Sequence, residues 1–472
     1  MRQTTRLCLL AGAVGVIGGP ALAEGQAWSN ADEVRALVSE MMADAETRSS
    51  LLQSGGTAGH DGQHFFLASG DGNFRLDISG QIQFRYYLNF RDDENDDDDI
   101  FEDDDNSNED DFESGFQTRR TKIFFEGHVF DPNMFYKLNG TFYSNEGEGQ
   151  TQDGDFELED AYAGYRWDNG FSILWGQFKL PFMREELVSE AYQLAADWSL
   201  TNTVFTTGRS QGVQFGWSAE DFRAMLAFSD GAKAANSDIA APRGLTSTGY
   251  LSGGESDWAG TGRVEIKLAG GWEAFQDFTS MPGSDFGAML GIAGHIEGGD
   301  PPSSEFFPTG GEYRYGSWTA DINLEGDGWN FYLAGVGGYS DFNDADLDGI
   351  ADDDVDNVTE AGDINYSDYG VIAHAGIFIP NTDWEPFIRY DVIFADEDER
   401  ELDEDSETFQ TLTFGVNYYM YGHASKFTAD VLWFLDDVSS NALAGNRNTG
   451  IGYLTDDDEN EITVRLQWQL LF

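Results

Sequence analysis

Apolar and polar side chains alternate through FRLDISGQIQFRYYLNF, residues 74–90. Phe74, Leu76, Ile78, Ile82, Phe84, Tyr86, Leu88 and Phe90 share one parity, and Arg75, Asp77, Ser79, Gln81, Gln83, Arg85, Tyr87 and Asn89 share the other. Alternation over 17 residues exceeds what a strand of a soluble sandwich needs. It suits a tilted membrane strand, which takes about 9–11 residues to cross hydrocarbon and adds an overhang. One face then meets lipid and the other water. The chain stops in the same pattern, ITVRLQWQLLF (462–472), with Ile462, Val464, Leu466, Trp468, Leu470 and Phe472 opposite Thr463, Arg465, Gln467 and Gln469. A last strand that pairs with the first closes a barrel and satisfies every backbone group in lipid. The terminal Phe472 also looks like the signal read by the barrel-assembly machinery of outer membranes.

Between these ends, short and long connections take turns. Tight turns are expected at 131–133, 168–170, 219–221, 327–329, 380–383 and 421–425, with a longer member of the series, GGWEAFQDFTSMPG, at 270–283. Long polar connections fall near 91–115, 145–154, 181–209, 230–259, 298–314, 341–365, 396–407 and 436–460. Seven turns and eight loops join sixteen strands. An even count leaves both ends on the periplasmic side. The fold class is thus all-β, a sixteen-stranded antiparallel transmembrane barrel spanning 65–472.

The residues before it read differently. Arg2 and Arg6, an apolar run from Leu7 to Gly19 and Ala21-Leu22-Ala23 form a secretory signal peptide over 1–23. The single cysteine, Cys8, lies inside it, so the processed chain should carry no thiol. Residues 24–64 hold a periplasmic amphipathic helix and its linker: Asn30 and Glu33 resemble a capping box, and Val34, Leu37, Val38, Met41 and Ala45 keep helical spacing. The glycine-rich QSGGTAGHDGQ (53–63) is read as flexible.

Composition adds to this picture mainly through charge. The chain has 36 Phe, 19 Tyr and 12 Trp against 10 Pro, which favours strands, and a formal net charge of −60, which argues against nucleic acid as a partner. Strand bases, among them Arg75, Arg85, Arg120, Lys122, Lys137, Arg166, Lys179, Arg263, Lys267, Arg389, Lys426 and Arg465, point by parity away from lipid. Acids gather in the loops instead. Residues 92–113 hold 15 carboxylates and no base.

FQTRRTKIFFEGHVFDPNMFYKLNGTFY (116–143), LEDAYAGYRWDNGFSILWGQFKLPFMREEL (158–187) and GRSQGVQFGW (208–217) resemble the phosphate-selective porin O and P family, with support from 409–472. The resemblance implies a sixteen-stranded, usually trimeric barrel with an inward-folded third loop and a basic lumen that carries anions. Where that family commonly has an acid–arginine pair late in the third loop, this chain reads LAADWSLTNTVF (194–205), with Asp197 and Trp198.

Charged rings at a constriction decide which ions pass. Lys179 and Arg184 flank Pro181 where the third loop leaves its strand, Arg209 stands where it returns, and Arg120, Lys122, Lys137 and Arg166 lie on neighbouring strands. These seven are the candidate anion-attracting residues. A second candidate is calcium. DADLDGIADDDVDN (344–357) sets Asp344, Asp346 and Asp348 at alternate positions before Gly349, Ile350 and Asp352, with Asp354 or Asp356 to close the shell in place of Val355. No other cofactor is called for.

Catalysis finds no motif: the six histidines form no HExxH, and neither GxSxG nor a P-loop occurs. The function expected is a water-filled porin for small ions and solutes. A general or cation-selective porin ruled by acidic loops, an adhesive barrel with calcium-binding loops and an outer-membrane hydrolase are the rivals.

Overall fold

The computed structural model describes residues 55–62, 64–90, 112–142, 156–236, 255–300, 312–343, 364–396, 408–436 and 461–472. The signal peptide, the amphipathic helix, most of the acidic run at 92–113 and the calcium motif at 344–357 lie outside them.

Two short strands, β1 (Thr57–His60) and β2 (Phe65–Ala68), precede the barrel. The barrel begins with β3 (Arg75–Phe90), β4 (Phe112–His128), β5 (Met134–Phe142), β6 (Phe156–Arg166), β7 (Phe171–Lys179) and β8 (Arg209–Ser218). It continues through β9 (Phe222–Ser229), β10 (Glu255–Ala269), β11 (Gly287–Asp300), β12 (Glu312–Gly326) and β13 (Trp329–Asn343). It ends with β14 (Ile364–Ile377), β15 (Trp384–Phe394), β16 (Thr408–Tyr419), β17 (Ser425–Phe434) and β18 (Ile462–Leu471). Each strand from β3 to β18 pairs antiparallel with the next, and β18 returns to β3 in register from Ile462↔Phe90 to Leu471↔Gln81. The result is the sixteen-stranded closed barrel that the connection lengths imply.

Alternation sets the two faces. On β3, Gln81, Gln83, Arg85 and Asn89 are buried inside, while Ile82, Phe84 and Phe90 are exposed outside. On β18, Thr463, Arg465, Gln467 and Gln469 are buried and Trp468 is 51% exposed. Apolar outside and polar inside is the reverse of a soluble protein, and the missing apolar solvent is lipid. Aromatic pairs mark the rim carrying the short turns: Trp167–Phe171, Trp217–Phe222, Phe286–Trp329 and Trp384–Tyr418. Such girdles sit at the headgroup level.

The seam differs from expectation in one respect. The stretch read as a flexible linker contributes β1, whose backbone pairs with β2 from Thr57↔Ala68 to His60↔Phe65. TAGH shows no apolar alternation, and all four residues are exposed, so only backbone pairing builds the strand. β2 in turn pairs with Arg75–Ile78, the part of the β3 edge lying beyond the reach of β18. The final residue fills the step between them: Phe472 exchanges backbone hydrogen bonds with Gly80 at 2.7 and 3.0 Å.

The long connection after β7 folds into the barrel. It carries α1 (Arg184–Leu187), a 3-10 turn at Glu190–Tyr192 and α2 (Leu200–Phe205), which is capped by Ser199 Oγ accepting from Asn202 N at 3.0 Å. Its apolar side, including Phe182, Met183, Leu194, Leu200, Val204 and Phe205, packs on inward-facing Tyr332, Val336, Ile372, Ile393 and Phe434. Burying each large side chain contributes about 1.5–3 kcal/mol. Close approach of α2 needs a bare wall at Gly370, where a Cβ would lie 2.5 Å from Thr201 Cγ2. One wall of the lumen is therefore apolar and covered.

Candidate channel constriction

The opposite wall, from β3 to β8, faces the polar side of the third loop. Simple parity would place only one of two adjacent residues inside, yet Arg119 and Arg120 both reach the lumen. A bulge explains this: Gln83 pairs with Arg120 and Arg85 with Gln117, so Thr118 and Arg119 together stand opposite Phe84. A second bulge sits two strands away. Asn139 pairs with Asp160 and Gly140 with Leu158, leaving Glu159 as the extra residue, and both acids point inward. Bulges re-aim side chains in this way. Here one aims two arginines at the third loop and the other aims two carboxylates at the bases of the surrounding strands.

The resulting ion pairs are dense. Asp197, fully buried on the third loop, receives Arg85 Nη2 at 2.7 Å and Arg119 Nε at 3.1 Å on Oδ2, and Arg120 Nη2 at 2.6 Å on Oδ1. Lys122 contacts Glu159 Oε1 at 2.5 Å and also Glu190 of the loop. Lys179 lies 3.3 Å from Glu186 Oε1. Arg209 Nε donates to Asp160 Oδ1 at 2.8 Å, with Lys137 Nζ 3.8 Å from the other oxygen of that carboxylate. The indole of Trp198 lies under the Arg120 guanidinium, 5.2 Å away, and 5.4 Å from Lys179 Nζ.

A cavity of about 340 Å³ remains between loop and wall. Its cationic lining is Arg119, Arg120, Lys122, Arg209 and Lys233, and its carboxylates are Glu157, Glu159 and Glu186. Of the seven candidate residues, Arg120, Lys122 and Arg209 meet at this cavity, and Lys137 and Lys179 join them through shared acids. Arg166 stands apart, over the Phe135 ring at the end of β6. Arg184 is turned away from the cavity: it is buried, donates to Phe275 O at 2.8 Å and lies over the Phe278 ring.

That contact reveals a second inward segment. The connection of 270–286 folds up under the third loop, placing Phe278 in the loop's apolar core and its amide 3.3 Å from Tyr192 O. Arg184 is thus a strut between two loops.

Other bases hold the loop in place. Arg389 donates to Asp197 O at 2.8 Å and Trp198 O at 3.2 Å, Lys426 to Gln193 O at 2.8 Å, and Arg263 to Phe182 O at 2.9 Å. Arg119 and Lys233 were not foreseen from the sequence as cavity residues. The adjacent pair Arg119-Arg120 carried a signal, because two neighbouring cations in a lipid-facing alternation demand a bulge.

The calcium motif, Asp344, Asp346, Asp348, Ile350, Asp352, Asp354 and Asp356, falls outside the described residues. Among the described residues no cluster of His, Cys, Asp and Glu has metal-holding geometry.

Comparison with solved structures finds the outer membrane channel DcaP of Acinetobacter baumannii, at 12% identity over 84% of this chain and 97% of that chain, with a TM-score of 0.50. An anion-selective porin from Comamonas acidovorans shows 12% identity over 84% and 99%, with a TM-score of 0.49. OmpT of Vibrio cholerae shows 8% over 84% and 98%, with 0.48. These likenesses concern the fold. No curated protein matches the sequence. Residues 84–274, which span both bulges, the whole third loop and the cavity, match the family model described as phosphate-selective porin O and P, and the chain is a porin of the outer membrane, a channel and not an enzyme.

Proposed function

We propose that the constriction between the third loop and the β4–β8 wall gives this porin a modest preference for small anions. The observation that carries the reading is the make-up of the cavity, with five cationic side chains against three carboxylates. Charges in a narrow, poorly hydrated gap are screened less than those at loop tips in bulk salt, where the Debye length is about 8 Å. The inner set should therefore dominate at physiological ionic strength and above. Acidic outer loops gain influence as salt falls.

Most of these bases already have an acidic partner, which limits the preference. A general porin with little charge discrimination is the second reading, favoured by the pairing of Lys122, Lys179 and Arg209 with Glu159, Glu190, Glu186 and Asp160. Reversal potentials across a salt gradient decide between them. Anion preference at high salt supports the first reading, and a reversal potential near zero supports the second.

The same reading takes the protein as a homotrimer, carried over from the family resemblance, with residues 1–23 removed on export. Cross-linking in mild detergent that yields only monomer removes the trimer. Calcium in the 344–357 loop is proposed on its spacing alone.

A further inference from the structure

Three consecutive carbonyls of the third loop are held at one place by three different elements. Ala191 O accepts from Gln469 Nε2 on β18 at 3.0 Å, Tyr192 O from the Phe278 amide of the short-turn segment at 3.3 Å, and Gln193 O from Lys426 Nζ on β17 at 2.8 Å. His423, in the turn between β16 and β17, stands at this junction. Its ring meets Tyr192 edge to face with centroids 4.9 Å apart, and Tyr419 in the same manner at 5.4 Å. Gln469 Nε2 also donates to His423 O at 2.8 Å, so one side-chain amide joins the turn to the loop. Yet both ring nitrogens of His423 are closed to solvent and have no hydrogen-bond partner. Asp277 Oδ2 lies 3.5 Å from Nε2, too far for a good hydrogen bond. The remaining polar neighbours are engaged elsewhere: Lys426 with Gln193 O, and the Tyr419 hydroxyl with Glu385 Oε2 and Thr279 Oγ1. Buried polar groups nearly always find a partner, so an imidazole with two orphaned nitrogens at the foot of the third loop calls for a reason.

We propose that His423 is an acid-sensitive latch beneath the third loop: as a neutral ring it fills the slot between Tyr192 and Tyr419, and on gaining a proton it leaves that slot and loosens residues 191–193. An imidazolium donates from both nitrogens, whereas the slot offers it a single carboxylate, Asp277, beside two aromatic rings. Burial pushes the His423 imidazole below the usual histidine range, Lys426 adds to this, and Asp277 opposes it. The packed ring therefore binds a proton more weakly than the released ring. Packing is fully favoured above the ordinary histidine range, about pH 6.5, and loses ground as pH falls through it. When the turn moves, Gln469 cannot keep both of its carbonyl partners, and Tyr192 loses the ring it packs against. The latch acts on the anchorage of the loop and so holds for either ion preference of the pore.

The test is single-channel recording of the intact protein in planar bilayers at fixed high salt and fixed voltage, between about pH 8 and about pH 4.5. Closures of the wild type should grow more frequent as pH falls below about 6.5, by at most about tenfold per pH unit, the limit for one proton. His423→Phe keeps a ring in the slot and has no proton to gain, so its closing frequency should stay flat. Asp277→Asn removes the carboxylate that offsets the buried charge. It should match the wild type at the alkaline end and close more often than the wild type at the acid end, a split that a merely structural contact would not produce. An acid response of equal size in His423→Phe and wild type overturns the proposal, and so does acid that steadies the wild-type current. If His423→Phe does not fold, the other pair decides: equal acid responses in Asp277→Asn and wild type overturn it, and a larger one in Asp277→Asn supports it.

Discussion

Arg465 and Asp430 face each other across β17 and β18 and form a two-point ion pair, Nε to Oδ1 at 2.7 Å and Nη2 to Oδ2 at 2.8 Å, with neither side chain exposed. Asp430 Oδ2 also accepts the Ala196 amide at 2.8 Å. The strand that closes the barrel is thereby tied to the tip of the third loop. Replacing Arg465 by Met leaves a buried carboxylate without its cation, which costs about 3–5 kcal/mol. Arg465→Met should lower the midpoint of urea unfolding in lipid vesicles, and an unchanged midpoint would show that the pair contributes nothing.

Charge reversals should separate the wall from the strut. Lys122→Glu and Arg209→Glu alter the cavity lining, so each should shift the high-salt reversal potential toward cations. Arg184→Glu instead buries an acid under Phe275 and Phe278 and should reduce folded yield while leaving the selectivity of surviving channels as in the wild type. A selectivity change in Arg184→Glu as large as that in Lys122→Glu would contradict this placement.

Gly370 leaves the space that α2 occupies. A leucine there would collide with Thr201 and Phe205, and overpacking of this kind costs about 1–3 kcal/mol. Gly370→Leu should loosen the loop from its wall, read as added current noise and a changed unit conductance. The same conductance trace as the wild type would show that the wall tolerates the side chain.

Burial pushes the Lys233 ammonium down to about 8, against the pull of Glu186. Its positive charge is present below that pH and is lost as pH rises through it. Anion preference should therefore fall between about pH 7 and 9, and Lys233→Met should be flat over the same range. A wild-type preference constant from pH 6 to 10 would exclude Lys233 from the ion path.

The calcium motif has a simple readout. Four or more carboxylates drawn onto one ion order their loop. Cleavage within 344–357 by a protease should be slower in millimolar calcium than in chelator, and Asp348→Ala should abolish the difference. Equal cleavage in both conditions removes calcium from this loop.

Parity made the barrel legible. Phe84 out and Arg85 in, Trp468 out and Arg465 in, follow from side chains alternating on a pleat, and the connection lengths carried the strand count. What parity could not show is where it breaks. Arg119 and Glu159 depend on registers with β3 and β5, and a register is a property of two strands. Arg184 was grouped with Lys179 because both flank Pro181, but loop residues obey packing rather than period, and its partners lie at Phe275 and Asn323. Asp197 stood out in sequence only as a departure, and its three arginines come from positions 77 to 112 residues away.

The support of the third loop has an electrical corollary. Phe278 and the Phe275 carbonyl stand beneath it on the short-turn side, whereas from the other direction the described residues 231–236 reach only its returning end, where the Lys233 amide donates to Thr207 O at 2.8 Å and Lys233 Nζ to Thr203 O at 3.4 Å. A field that drives the loop toward the periplasm presses it onto packed protein along its length, and the opposite field meets a described segment only at the loop's returning end. Voltage-induced closure should accordingly have a polarity: the channel should hold its current under one sign of potential and step to lower levels sooner under the other.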